Sequence, residues 1–425
     1  MQPNRHSLFM RFHFWGALIA SPFAIVAALT GLLYVIAPTI DAWKHTDLDR
    51  VQATGNMRPL DDIIAAAKLA APPGTALRTV TVSAAASESV RATFAPSRDA
   101  STGAGHAGHI AGVTFVYVNP YNATLLGQLN EEDRFIDWAK KLHSRLLLGD
   151  GARWMIELAA SWFLVMVLTG IYLWWPRNTD DVVSRKSGWR RWHPWAGVAL
   201  SSITLVMLLT GITWSKYSGP QMRTLRDAVG QTSAQMPKDL QSRSTPVGSD
   251  PLPLLSWQQV VDIVRASASN QTLTITPPRG DRGVWRVRAL AADRPNATFE
   301  VAIDARSGEA LARSDWAGQT AWGKATTVGI PFHRGEFGWW NQALLALFGA
   351  GLLFSLTTGW LMVWKRWRGG LSPLPRLLPG AWRSTPWPAL IAVPALMWLM
   401  PLFALTLPMV VVVELALDFK SRFRR

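Results

Sequence analysis

Two stretches of the chain share one spacing of histidine, tryptophan and threonine-glycine. This spacing is the strongest indication of the architecture of the chain. Residues 13–31 read HFWGALIASPFAIVAALTG, and residues 193–211 read HPWAGVALSSITLVMLLTG. In both stretches the Thr-Gly pair begins 17 places after the histidine. At about 1.5 Å per residue, such a helix is roughly 26 Å long, close to the thickness of a bilayer's hydrocarbon core. The spacing predicts two membrane helices, each with a histidine at one end and Thr-Gly at the other.

The composition is typical of a membrane protein. Of the 425 residues, 49% are hydrophobic and 23 are tryptophan, and many tryptophans stand at the ends of apolar runs, as interfacial belts require. The net charge of +15 would suit a nucleic-acid-binding protein. Lysine and arginine gather at the helix ends, however, so we expect a lipid bilayer and no nucleic acid as partner. The chain has no cysteine, which excludes disulfides, iron–sulfur clusters and covalently attached c-type haem.

Hydropathy divides the chain into spans and polar segments. The predicted order is span 1 (1–40), module 1 (41–150), span 2 (151–176), a loop (177–193), span 3 (194–217), module 2 (218–335), span 4 (336–365), a second loop (366–386) and a C-terminal apolar segment with a basic tail (387–425). The C-terminal segment is either a fifth span or a hairpin, and its basic end favours the hairpin. The positive-inside bias predicts cytoplasmic loops and both modules on the outer, periplasmic face.

Each module is predicted to have an α+β fold. Period-2 alternation and turn residues bound the strands, which we expect at Arg78–Val82, Val90–Phe94, Val113–Val118, Leu273–Thr276, Val284–Ala289 and Thr298–Ile303. Helices are expected from Asp61 to Lys68, from Lys140 to Gly149 and from Trp257 to Ala268. The order span, module, histidine, span occurs twice. The predicted fold class is therefore a helical membrane bundle with two periplasmic α+β modules and an internal two-fold repeat.

Four histidines and four Thr-Gly pairs fall at two depths of this predicted bundle. The histidines are His13 and His193 at the cytoplasmic end, and His143 and His333 at the periplasmic end. The glycines expected beside them are Gly170 and Gly359 at the cytoplasmic end, and Gly31 and Gly211 at the periplasmic end. Two imidazoles can ligate a haem iron axially, and glycines let helix backbones approach the flat macrocycle. We expect two non-covalent b-type haems, one at each depth, and no acid–base catalytic residue.

The other histidines carry weaker signals. An ionisable residue within a span is a functional candidate by default, but a single histidine at a membrane interface is more often solvated. His6 and His45 are interpreted as interfacial residues. His106 and His109 could bind a metal, but they stand in a Gly/Ala-rich stretch without a neighbouring ligand and are interpreted as loop.

The order of these motifs resembles that of the PepSY-associated transmembrane family of bacterial inner-membrane proteins, over about residues 10–370. Besides the two histidine-to-glycine stretches, the resemblance is carried by Lys141–Gly149, Leu168–Gly170 and two strand-turns, Asn119–Gly127 and Asp304–Leu311. The PepSY turn has an acidic or amide residue followed by three residues and a glycine. The first turn departs from it, with Asn119 for aspartate and Thr124 for glycine. Similar members of the family are iron-regulated proteins and siderophore-iron reductases with two b-type haems.

The resemblance implies an oxidoreductase of iron uptake. An electron from a cytoplasmic donor, either a flavoprotein or one linked to a reduced nucleotide, would reach the His13/His193 haem. It would then pass to the His143/His333 haem and reduce a periplasmic ferric siderophore. Some relatives carry a fused flavin domain that this chain lacks, so the donor would be a separate protein.

Two other functions are compatible with parts of the sequence. The PepSY modules could bind or inhibit a periplasmic protease or peptide, with the spans as anchors; a plain anchor needs no histidines repeated in register. The chain could also transport the iron chelate, but its spans show no charged residue in their centres to line a pathway.

Overall fold

A computed structural model of the chain describes residues 3–96, 112–175, 189–244, 253–268, 270–291 and 294–422. Its helices are α1 (Pro3–Lys44), α2 (Thr46–Asp49), α3 (Leu60–Leu69), α4 (Phe135–Arg145), α5 (Arg153–Trp174), α6 (Trp189–Thr213), α7 (Gly219–Ala228), α8 (Trp257–Arg265), α9 (Ala321–Arg334), α10 (Trp339–Arg368), α11 (Trp387–Leu399) and α12 (Pro401–Arg422). Its strands are β1 (Thr75–Val82), β2 (Val90–Pro96), β3 (Thr114–Val118), β4 (Leu125–Asn130), β5 (Thr272–Thr276), β6 (Val284–Leu290), β7 (Phe299–Asp304) and β8 (Ala310–Asp315).

The chain divides into two compact units. The helical unit comprises residues 1–35, 139–230 and 329–425, and the sheet unit comprises residues 36–138 and 231–328. Five helices of the described residues are long and apolar enough to cross a membrane; they are α1, α5, α6, α10 and α12. Helix α6 begins and ends earlier than the predicted span of 194–217, and α1 continues to Lys44. Helical backbone continues past the apolar runs because it satisfies its own hydrogen bonds.

The C-terminal apolar segment forms a helical hairpin, α11 and α12, broken at Met400. With 13 residues, α11 is only about 20 Å long and is too short to cross a bilayer alone. Arg5 donates to the carbonyl of Ser384 just before α11 (3.0 Å), and Arg11 pairs with Glu414 near the end of α12 (2.6 Å). The hairpin therefore starts and ends beside the N-terminal part of α1.

The sequence predicts no charged residue in the centres of the spans, but Glu414 lies within α12, one of the five helices long enough to cross a membrane. Its side chain is only 2% exposed, and it also accepts a hydrogen bond from the indole of Trp15. Arg11 in turn donates to the carbonyl of Pro375. A buried carboxylate is tolerated here because the arginine and the indole compensate its charge.

The sheet unit contains one antiparallel sheet of eight strands in the order β4-β3-β2-β1-β5-β6-β7-β8. The two predicted modules are therefore not separate: β1 pairs with β5, with Val80 opposite Ile275. This pairing satisfies two strand edges that would otherwise be open. Helices α3 and α8 share a core with the strands, which includes Ile64 and Val260. The carboxylate of Asp61 accepts from the backbone of Trp257 and Gln258, joining the two helices (both 3.1 Å).

The six predicted strands correspond to β1, β2, β3, β5, β6 and β7. The helix predicted at Lys140–Gly149 was wrong at both ends, because α4 runs from Phe135 to Arg145. It stops there because Leu146 and Leu147 adopt positive φ angles of 53° and 60°, which a helix does not allow. Helices α7 and α9 were not predicted. They are short and carry weaker apolar patterns than the spans.

The PepSY turn of the second module is organised by Asp304, which is fully buried at 0% exposure. Its carboxylate accepts from the backbone of Arg306 (3.0 Å) and Ser307 (3.1 Å) and from the hydroxyl of Ser242 (2.8 Å). Burial opposes its charge, but these donors outweigh burial and hold the pKa of Asp304 well below its usual range.

In the first module's turn, Asn119–Gly127, the residue that takes the place of the glycine is Ala123, where we expected Thr124. Ala123, and not Thr124, donates its backbone N–H to the carbonyl of Asn119 (2.9 Å), as Gly308 does to Asp304 (3.3 Å). Ala123 has a φ of 57° and Gly308 one of 77°. The first module therefore accepts a strained alanine where the second has glycine.

Candidate functional site

His13 and His193, the first pair, lie close together in the helical unit. His13 is on α1 and His193 on α6, and their ring centroids are 6.4 Å apart with planes at 79°. A metal–imidazole bond is about 2 Å long, so two imidazoles that bind one ion from opposite sides have ring centres about 6 Å apart. The first pair has the spacing of two axial ligands.

Each ring of the first pair is fixed through Nδ1. His13 Nδ1 lies 2.9 Å from the carbonyl of Met166 and 3.2 Å from the hydroxyl of Thr169. His193 Nδ1 lies 3.0 Å from the carbonyl of Ser355 and 3.3 Å from the hydroxyl of Thr358. A carbonyl only accepts, so Nδ1 carries the proton and Nε2 presents its lone pair. This is the outer-shell arrangement of metal-binding histidines.

His143 and His333, the second pair, repeat this arrangement. His143 Nδ1 lies 3.0 Å from the hydroxyl of Thr30, and His333 Nδ1 lies 2.8 Å from that of Thr210. Desolvation by the surrounding protein, and then the nearby charge of His143, lower the pKa of His333 to about 4. The two side chains are thus within electrostatic range of each other, and His333 is neutral at physiological pH.

The threonines of the four Thr-Gly pairs have a role that the sequence analysis missed. Each hydroxyl donates its proton to the carbonyl four residues earlier in its own helix, as Thr30 does to Val26 (2.7 Å) and Thr169 to Val165 (2.7 Å). The hydroxyl oxygen then remains an acceptor for the histidine N–H. The signal in the sequence was the threonine before each glycine.

The four glycines lie against the imidazoles. A Cβ atom added to each would approach the histidine Cε1 closely: Gly170 to His13 at 3.1 Å, Gly31 to His143 at 3.3 Å, Gly359 to His193 at 3.3 Å and Gly211 to His333 at 3.5 Å. These are the groupings by depth that the sequence predicts. The nearest neighbour of each glycine is a histidine ring, and the missing side chain leaves room for that ring beside the threonine.

The two pairs lie at two different levels of α1. His13 belongs to the first pair, and Thr30, which holds His143, follows it by 17 residues, or roughly 26 Å along the helix. His45 is buried in the sheet unit, outside both pairs. His106 and His109 lie outside the described residues. Within the described residues, no group of three or more His, Asp or Glu is placed to hold a metal ion.

A family model described as PepSY-associated TM region matches residues 10–366. The chain belongs to this family. The match includes all four histidines and all four Thr-Gly pairs. Together with the five apolar helices, it identifies a multi-pass membrane protein of the PepSY-associated class. No curated protein matches the chain.

Proposed function

We propose that each histidine pair binds one b-type haem and that the chain conducts electrons across the bacterial inner membrane to a periplasmic acceptor. The observation that carries the proposal is the common anchoring of all four rings: each is held through Nδ1 by a Thr-Gly hydroxyl. A solvated interfacial histidine needs no such partner. The 6.4 Å between the ring centres of the first pair adds support.

The residues present fit this group. Four imidazoles supply two bis-histidine sites, and the absence of cysteine requires the haems to be non-covalent. The threonine and carbonyl acceptors fix the tautomer and orientation of each ring and make it a stronger ligand. When bound, haem supplies a one-electron carrier that cycles between ferric and ferrous iron.

The chain's own contribution is to hold the two sites at two levels of α1, roughly 26 Å apart along the helix. The acceptor we propose is a ferric siderophore, whose iron gains one electron and is released as Fe(II). The positive-inside pattern supports a cytoplasmic position for the first pair. Lys365, Arg366 and Arg368 end α10 on that side, a few residues beyond Gly359, and would attract an acidic flavoprotein donor.

The test is a proteoliposome with donor inside and a ferric siderophore with a ferrous chelator outside. Wild type should produce external Fe(II), and His193→Ala should abolish the reaction while keeping the second pair's haem. His6→Ala, on α1 but outside both pairs, is the control and should react as wild type. Equal rates in wild type and His193→Ala would refute the conduit. Purified protein without a Soret band would instead favour a PepSY protein that binds a periplasmic protease or peptide.

A further inference from the structure

Three polar side chains connect the helices around the second pair. Tyr34, on α1, lies with its ring nearly parallel to that of His143, at 6.4 Å between centroids and 20° between planes. Arg334, which directly follows His333, donates from Nε to the Tyr34 hydroxyl (3.3 Å). The other side of its guanidinium pairs with Glu336 (2.8 Å). Arg334 is thus adjacent in sequence to one ligand and held by a residue that packs beside the other.

The corresponding positions elsewhere are uncharged. The residues that directly follow the four histidines are Phe14, Ser144, Pro194 and Arg334. Tyr34 stands four residues after Thr30, and Trp214 stands four residues after Thr210, without a hydroxyl to orient a guanidinium. Among these positions, a cation beside a ligand occurs only at the second pair.

A fixed cation near a redox centre favours its reduced state, because reduction adds one negative charge. The effect weakens with distance and with solvent screening. The Arg334 side chain is 48% exposed, so its position matters: a free arginine would extend into water, whereas two partners hold this one against the site. Glu336 opposes the effect with its negative charge.

We propose that Arg334, held in place by Tyr34 and Glu336, raises the reduction potential of the second site. A higher potential at the second site favours electron transfer to it from the first. Arg334 is a positioning and tuning residue and is not a ligand. This inference rests on the proposed function, since it requires a haem at each pair.

The test is a spectroscopic redox titration of the purified full-length protein with its haems. The two midpoint potentials are assigned with His143→Ala, which should retain only the first site's haem. Arg334→Gln should lower the potential of the second site alone, and Arg334→Lys should lower it less because the charge remains. Glu336→Gln should raise it. Tyr34→Phe should lower it slightly, because Arg334 loses one of its two anchors.

Lys216→Gln is the matched control. Lys216 carries the same charge in the same unit, is 41% exposed and is paired with Asp150 (2.9 Å) instead of Tyr34 and Glu336. Its substitution should leave both potentials unchanged. If Arg334→Gln keeps both haems and moves neither potential, or moves both equally, the inference is wrong while the proposed function stands. If wild type contains no haem, the proposed function itself fails.

Discussion

At the scale of single residues, the threonine hydroxyls determine how the histidines present Nε2. Thr169→Val keeps the volume of the side chain but removes one of the two acceptors of the His13 N–H, leaving the Met166 carbonyl. A hydrogen bond of this kind contributes about 1 kcal/mol, so haem should leave the first site roughly fivefold faster. Transfer of haem to apomyoglobin measures this rate. Thr224→Val, whose hydroxyl bonds only the carbonyl of Pro220 (3.2 Å), is the control and should lose haem at the wild-type rate.

Asp304 makes the PepSY turn sensitive to acid. Its pKa in the folded protein lies below the ordinary value of about 4, so the carboxylate stabilises the fold fully above that pH and loses this contribution as pH falls below it. Hydrogen exchange at pH 7 and pH 3 should show residues 242–244 and the Asp304 turn losing protection in acid. In Asp304→Asn this protection should be reduced already at pH 7 and change less with pH. Equal loss of protection in acid in wild type and Asp304→Asn would contradict the role given to Asp304. Strand β2, which is remote from the turn in sequence, serves as the internal reference for exchange.

At the scale of secondary-structure elements, the close approach of α9 to α6 places His333. A Cβ added at Gly329 would lie 2.8 Å from Thr210 Cγ2, so Gly329→Ala should push α9 away from Thr210 at a cost of about 1–3 kcal/mol. Haem content should fall from two towards one, as measured by pyridine haemochrome. Gly197→Ala on α6, where an added Cβ meets nothing within 4 Å, should retain both haems. Full retention in Gly329→Ala would show that α9 can shift without loss of the site.

The C-terminal hairpin is held to α1 by the buried pair of Arg11 and Glu414. Glu414→Leu leaves the arginine charge without a partner and should destabilise the helical unit by about 3–5 kcal/mol. Replacing both residues, Arg11→Met with Glu414→Leu, should recover most of that loss because no buried charge remains. Thermal unfolding in detergent compares the three proteins. If the double variant is as unstable as the single one, the pair stabilises the helical unit by more than the neutralisation of two buried charges.

The fixed rise per residue of an α-helix was sufficient to group the histidines and glycines by depth. Because 17 residues of helix always span roughly 26 Å, a histidine and a Thr-Gly pair at that spacing lie at two different depths. The groupings of Gly170 with His13 and of Gly31 with His143 follow directly from it. The pairing of β1 with β5 was not predictable, since strand partners across nearly 200 residues leave no local pattern. The threonine hydroxyls were missed for a similar reason: a hydrogen bond between helices depends on their packing, which periodicity does not determine.

At the scale of the whole molecule, the chain separates its tasks between a helical unit that carries both histidine pairs and a sheet unit that joins both PepSY modules in one sheet. The four anchored histidines belong to the helical unit alone. The central claim therefore concerns that unit: two haems, each held by one pair.

Haem content of the purified protein and its four single His→Ala variants, read by pyridine haemochrome and reduced-minus-oxidised spectra, tests this claim most directly. Wild type should contain two extractable b-type haems. His13→Ala and His193→Ala should lose one spectral species, and His143→Ala and His333→Ala should lose the other. A wild type without haem, or the loss of the same species in His13→Ala and His333→Ala, would contradict the account.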